Sequence, residues 1–361
     1  MQTVLHKTAQ LGQSLWLDTI SRKLLRENGL ADWIEKGVRG VTTNPSIFEL
    51  AIAKSEDYDA EIRDLAKNGK SVPEIYETLT LQEVGAAADI MLKVYDDTKG
   101  LDGYVSLEVN PLLAQDAAST ASEAKRLFAA LNRPNVMIKI PSTPESIPAI
   151  EACVADGINV NATLIFSVKQ YASAAEAYIK GLSARANRGL PIAVASVASV
   201  FVSRIDSAVD PRLTDKDGDL RGKAAIDNTI LTYAKFKEIF SAINGDWRAL
   251  EDKGAKIQRP LWASTGTKNA DYSDVYYIES LIGKNTVNTV PPATLSAFLD
   301  HGTAEDALKQ DASGAKARLA RLLEAGIELD AVCNTLLNDG VAAFNAAFEG
   351  LMKSIEIKTK G

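Results

Sequence analysis

Eight short apolar runs rich in Val and Ile punctuate the chain, at residues 15–18, 40–44, 104–110, 136–141, 158–166, 192–201, 260–265 and 286–290. Longer stretches with helical periodicity separate them. Runs this continuously apolar suit strands buried on both faces, the condition of a parallel sheet covered by helices. One strand alternating with one helical stretch is the signature of repeated βα units. Eight such units are the number that closes a sheet on itself, so the expected fold class is α/β, a (β/α)8 TIM-type barrel.

Such barrels take about 250 residues, which leaves roughly a hundred to be placed elsewhere in this chain of 361. Two helical patterns, at 45–68 and 73–99, lie between the second and third runs. After the eighth run, Ala- and Leu-rich helices continue to about residue 353. There is no Pro/Ser-rich linker, no repeat of solenoid period and no low-complexity tract. The expectation is one elaborated domain over residues 1–361, with helices inserted after strand 2 and a helical C-terminal extension over about 301–353. The polar stretch 210–221, DPRLTDKDGDLR, reads as a solvated loop.

Composition removes several function classes. With 40 basic against 47 acidic residues the net charge is −7, and no basic run tracks a phosphate backbone, so nucleic acid is not an expected partner. The N-terminal residues lack the apolar core of a secretory signal, and nowhere do about 18 apolar residues follow one another. A soluble, cytoplasmic protein without a membrane partner is expected. Cys153 and Cys333 sit in apolar helical patterns, where a buried free thiol is the ordinary state and a reducing compartment suits it. The two histidines, His6 and His301, build no HExxH, no Cys/His ligand set and no Ser-His-Asp set. Neither GxGxxG nor a P-loop occurs. No metal or cofactor is expected, and the reactive group of an enzyme built from this chain would be a lysine or a carboxylate.

Strand residues alternate faces, so parity tells which side chains enter the barrel. In 105–110 the apolar residues share one face, and Ser106, Glu108 and Asn110 share the other. In 136–140 the β-branched residues leave Lys139 pointing inward. The same rule turns Asn159, Asn161 and Thr163 inward in the fifth run, Thr42 and Asn44 in the second, and Asp18 in the first. Barrel interiors are normally layers of Val, Ile and Leu, and a buried polar group without a partner costs about 1–3 kcal/mol. Each residue taken alone admits a structural role. Lys139 could be the ion-pair partner of Glu108, Asn44 the cap of the helix begun by Pro45, and Asp18 a turn or cap residue before Ser21. Their convergence from five strands, late in the strands where barrel active sites are built, points to a site.

Taking an amine out of water disfavours its ammonium form, so an enclosed lysine is a candidate nucleophile. Amines attack ketones, and the resulting iminium draws electrons from the adjacent carbon so that a carbon–carbon bond breaks without a metal. Forming that iminium requires protons to be delivered and removed. Glu108, on the neighbouring strand, is the candidate, with Thr163 able to hold the same water. Asp18 is then free to take the proton whose loss drives cleavage.

Four segments lie in order on these strands: GVTTNPS at 40–46, VSLEVN at 105–110, IKIPS at 138–142 and INVNATLIFS at 158–167. Through them the chain resembles the transaldolases over nearly its whole length. The resemblance implies a (β/α)8 barrel in which Lys139 is the Schiff-base lysine, Glu108 and Thr163 hold the catalytic water and Asp18 is the acid/base of cleavage. It also implies that Asn44, Asn161 and Ser199 hydrogen-bond a dihydroxyacetone unit and that Phe201 lines the pocket. Arg204, in SVFVSR at 199–204, matches a phosphate-binding arginine of the family. A second family arginine is replaced here, in GTKN at 266–269, by Lys268, which keeps the charge but not the planar two-pronged donor. Lys268 is therefore either a phosphate ligand or a solvated loop lysine.

The extra helices resemble the longer bacterial branch. The implied reaction is transfer of dihydroxyacetone from sedoheptulose 7-phosphate to glyceraldehyde 3-phosphate in the pentose phosphate pathway. Fructose 6-phosphate aldolases share the lysine chemistry, but they are much shorter and lack the glutamate at the position of Glu108. Sugar phosphates are the expected partners, and the expected state is a monomer or a homodimer.

Overall fold

A computed structural model describes residues 2–309 and 312–360. Its strands are β1 Gln13–Leu17, β2 Val41–Thr42, β3 Val105–Glu108, β4 Val136–Pro141, β5 Val160–Ile165, β6 Ser196–Phe201, β7 Arg259–Ala263 and β8 Thr286–Val290. They pair in parallel and in chain order, and β8 returns to β1, so the sheet is a closed barrel. Every strand residue is buried, as expected of a sheet packed on both faces.

The strand–helix transitions carry their own signals. Ser167 and Gln170 form a capping box at the start of the Val168–Asn187 helix, and Asp116 accepts from the amides of Ala118 and Ser119 at the start of Ala117–Leu131. Such caps contribute about 1 kcal/mol each. Inside the barrel, Trp16 is fully buried. It fits only because residue 40 is glycine, since a Cβ there would lie 2.5 Å from the indole.

At the N-terminal end of the strands a polar cluster closes the barrel. Arg259 donates to Asp102 at 2.8 Å and to Ser14 at 2.9 Å, and Asp102 also accepts from Ser14 at 2.7 Å and Trp16 at 3.1 Å. Both members of the ion pair are buried.

Strict parity fails in β5. Ala162 pairs with Ala198 and Ile165 with Val200, so residues 163 and 164 together oppose Ser199. The extra residue is a β-bulge, with Leu164 at φ +59°, and it reverses which side chains face inward beyond it. Phe166 is thereby turned toward Phe201, with ring centroids 5.2 Å apart.

The surplus residues lie where the pattern puts them, but the insertion after β2 is not two plain helices. A helix Pro45–Phe48 continues as a π-helical turn Glu49–Ala53 and stops, and the chain resumes at Asp59–Lys67 before the long Val72–Asp97 helix. At the break the Ser55 hydroxyl accepts from the Asp57 amide at 3.1 Å, the local competition that disfavours these residues inside helices. The stretch 210–221 folds into two 3-10 turns. Asp219 there forms a two-pronged ion pair with Arg321.

The last helix, Leu329–Lys360, runs beyond the expected end near 353. It packs against the inserted helices, the Ser203–Val209 helix and β5, and so crosses the C-terminal ends of the strands. No helix among the described residues is long and apolar enough to cross a membrane.

Candidate functional site

Register brings the central groups into one row. Glu108 of β3 pairs with Lys139 of β4, and Lys139 pairs with Asn161 of β5, while Thr163 lies beside Pro141. Lys139 is 4% exposed. Its Nζ donates to the Thr43 carbonyl at 3.1 Å and lies 3.4 Å from Glu108 Oε2, an ion contact without hydrogen-bond alignment. Both carboxylate oxygens of Glu108 and the Thr163 hydroxyl are buried without a hydrogen-bond partner among the described residues. Burial pushes the Glu108 carboxyl up to about 7, with the Asp18 charge adding to the effect and the Lys139 charge opposing it.

Asp18 lies one residue beyond β1 and is partly exposed to a cavity at the C-terminal ends of the strands. Its Oδ1 accepts from Thr42 Oγ1 at 2.7 Å, and Thr42 in turn makes a short hydrogen bond with Thr289. Enclosure by protein raises the Asp18 carboxyl above its usual range, against the pull of Lys139 and the Thr42 hydroxyl. Asp18 caps nothing. Ser21 does that for the Arg22–Arg26 helix.

The cavity has a volume of about 210 Å³. Lys139, Asp18, Asn44, Ser199 and Phe201 line it. Asn44 lines the cavity and also takes the capping role, because its Oδ1 accepts from the Ile47 amide at 2.9 Å at the start of the Pro45–Phe48 helix. Asn161 is fully buried and does not line the cavity. Its amide donates to Ser106 and accepts from Ser199 at 2.7 Å, which ties it to a residue that does.

Arg204 and Lys268 bring two cations to the same cavity. Arg204 is partly buried and Lys268 is exposed, and neither has a carboxylate within ion-pair distance among the described residues. Burial lowers the proton affinity of each, and Arg204 lowers that of Lys268 further. Like charges held together without a counterion are the mark of a site for an anion.

Comparison with known proteins gives the arrangement a family. The family described as Transaldolase/Fructose-6-phosphate aldolase matches residues 15–355. The transaldolase of Trichodesmium erythraeum is 46% identical, over 97% of this chain and 96% of its own. That of Neisseria gonorrhoeae is 45% identical over 97% and 99%. The chain belongs to this family. A transaldolase of Thermobifida fusca, 43% identical over 98% of both chains, extends the likeness.

Within the family fold, two inward readings do not join the site. Asn159 donates to the carbonyls of Pro134 and Val136 and accepts from the Ala195 amide, so it staples three segments near the N-terminal ends of the strands. Asn110 accepts from the Leu112 amide in the turn after β3.

Conversely, the cavity includes Thr42, Ser46, Ser264 and Phe344, none of which was singled out as a site residue. Thr42 had the inward parity. Ser264 follows β7 at φ +56°, a conformation nothing in the sequence announces. Phe344 comes from the last helix, its ring 5.7 Å from Lys139 Nζ.

Chemically, the cavity brings together an enclosed primary amine, the Asp18 carboxyl and two cations without a carboxylate partner among the described residues, and beneath it lies the Glu108 carboxyl, pushed up to about 7 by burial. That set can form and break an imine on a phosphorylated ketose.

Proposed function

We infer that the enzyme is a transaldolase, a transferase that moves a dihydroxyacetone unit from sedoheptulose 7-phosphate to glyceraldehyde 3-phosphate, giving erythrose 4-phosphate and fructose 6-phosphate. The observation that carries the reading is Lys139, enclosed in the barrel 3.4 Å from a glutamate whose carboxyl is pushed up to about 7 by burial. A general acid/base works best when its pKa lies near the working pH.

Lys139 attacks the ketose carbonyl and becomes a Schiff base. Glu108, with a water shared with Thr163, moves the protons that turn the carbinolamine into iminium and back. Their unpartnered buried oxygens support that role. Asp18 takes the proton from the C4 hydroxyl, the C3–C4 bond breaks, the aldose leaves, and a three-carbon enamine stays on Lys139. An acceptor aldehyde then adds, and hydrolysis frees the new ketose. Asn44 and Ser199 hold the dihydroxyacetone part, Asn161 orients Ser199 from beneath, Phe201 lines the pocket, and Arg204 and Lys268 take the phosphate.

The reaction belongs to the non-oxidative pentose phosphate pathway, in the cytoplasm. The two buried free thiols, pushed up to about 12 by burial, suit a reducing compartment. The chain works without a cofactor, as a monomer or homodimer.

Borohydride reduction in the presence of fructose 6-phosphate, followed by peptide mass mapping, tests the assignment. One reduced dihydroxyacetone unit on Lys139 is the expected result. Labelling of another lysine, or none with active enzyme, overturns it.

A further inference from the structure

Arg204 and Lys268 repel one another across the cavity they both line, and they sit on different segments. Arg204 belongs to the Ser203–Val209 helix that follows β6. Lys268 belongs to the loop between β7 and the Tyr276–Ser280 helix. Lys268 is exposed on its loop and still lines the cavity, so its distance from Arg204 is set by where the loop is held, against the repulsion of the two charges.

The loop is closed on itself. Thr267 Oγ1 donates to the Ser273 carbonyl at 2.8 Å, and the Asp271 amide donates to Asn269 Oδ1 at 2.9 Å. Thus Lys268 moves with the tyrosines that follow it. Two of these reach the arginine's segment. Tyr277 donates to Asp206 Oδ2 at 2.9 Å, and Tyr272 donates to Asp210 Oδ2 at 2.8 Å.

Each aspartate uses its other oxygen on a third segment, Asp206 on the Ala225 amide at 2.8 Å and Asp210 on the Gly222 amide at 3.0 Å. Asp206 is 1% exposed. A buried carboxyl whose oxygens are both used on fixed donors is itself fixed, and it fixes what bonds to it.

We propose that the hydrogen bonds Tyr277–Asp206 and Tyr272–Asp210 are struts that hold Arg204 and Lys268 at the separation a phosphate monoester requires. The proposal rests on the reading of those two cations as the phosphate ligands. The four strut residues touch no substrate. They are positioning residues, and they determine preference for phosphorylated over unphosphorylated sugars.

The test uses Tyr277→Phe, Tyr272→Phe and their double variant, each of which removes hydroxyls and leaves the rings. Lys268→Ala serves as reference. With donor saturating, KM is measured for D-glyceraldehyde 3-phosphate and for D-glyceraldehyde, together with kcat and the thermal midpoint. The double variant should raise KM for the phosphorylated acceptor severalfold, leaving kcat and the KM for D-glyceraldehyde unchanged.

Tyr272 is only partly buried, so its single variant gives a readout even if Tyr277→Phe folds poorly. An equal loss with both acceptors, following a lowered thermal midpoint, would show ordinary structural bonds and overturn the proposal. So would an unchanged KM in both tyrosine variants while Lys268→Ala raises it. If Lys268→Ala itself leaves the KM for the 3-phosphate unchanged, the phosphate reading of Lys268 fails first.

Discussion

Asp18 and Glu108 flank one lysine in different surroundings, and the proposed mechanism gives them different tasks. Asp18 is held by the Thr42 hydroxyl and lines the cavity, whereas Glu108 lies deeper with both oxygens unpartnered. Asp18→Asn should therefore still form the imine with fructose 6-phosphate but stall before the carbon–carbon bond breaks. Borohydride would then trap a six-carbon adduct, distinguishable by mass from the three-carbon one. A three-carbon adduct formed at the normal rate would remove Asp18 from cleavage.

Glu108 makes a prediction about pH. Burial raises its carboxyl from 4.5 to about 7, so between those values the folded chain binds more protons than the unfolded one. Stability must then fall as pH rises through that window and level off above it. Asp206, also pushed up to about 7 by burial, tilts the curve the same way, so the informative quantity is the difference between wild type and Glu108→Gln. The variant's urea midpoint should depend less steeply on pH between 4.5 and 7. Parallel curves would mean that Glu108 stays ionised in the folded protein.

At the scale of elements, what could be read from the sequence was whatever repeats with a period. Lys139 and Glu108 follow from the alternation in β4 and β3, and their adjacency follows from strand order. The bulge at residues 163–164 breaks the period, because one extra residue in β5 is a local choice made against β6. Phe344 was not legible at all, since the place of the last helix is set by packing. That helix comes down on the barrel at Gly340, where a Cβ would lie 3.0 Å from Leu164 Cδ2. One turn later Phe344 faces the lysine, and one turn beyond that Phe348 stacks edge-on against Tyr76 at 5.3 Å.

On the proposed mechanism, an apolar ring over the amine would exclude water from the enamine, which solvent would otherwise protonate and release. Phe344→Ala should raise the ratio of free dihydroxyacetone to transferred product severalfold, read by coupled assays of the two products. An unchanged ratio would make Phe344 a packing residue only.

Across the whole molecule the two ends of the barrel do different work. Lys139, Asp18 and the two cations gather where the strands finish, while Arg259, Asp102 and Ser14 close the end where they begin. In this fold the end where the strands begin serves stability, and active sites are built at the end where they finish. The cluster spans β1, the segment before β3 and β7, so it ties together strands far apart in the chain. Removing one partner of a buried ion pair leaves the other charged and unsolvated, at a cost of about 3–5 kcal/mol.

Asp102→Ala should lower the urea midpoint accordingly, because Arg259 would be left facing Ser14 and the Leu101 carbonyl alone. Replacing both partners together, as Asp102→Leu with Arg259→Met, should recover part of the loss, since no charge is then stranded. In both variants kcat and KM of the folded enzyme should match wild type, because none of the cluster's residues lines the cavity that holds the lysine. A fall in kcat at temperatures where Asp102→Ala remains fully folded would show that the closed end of the barrel sets the geometry of the site, and the separation of the two ends would be wrong.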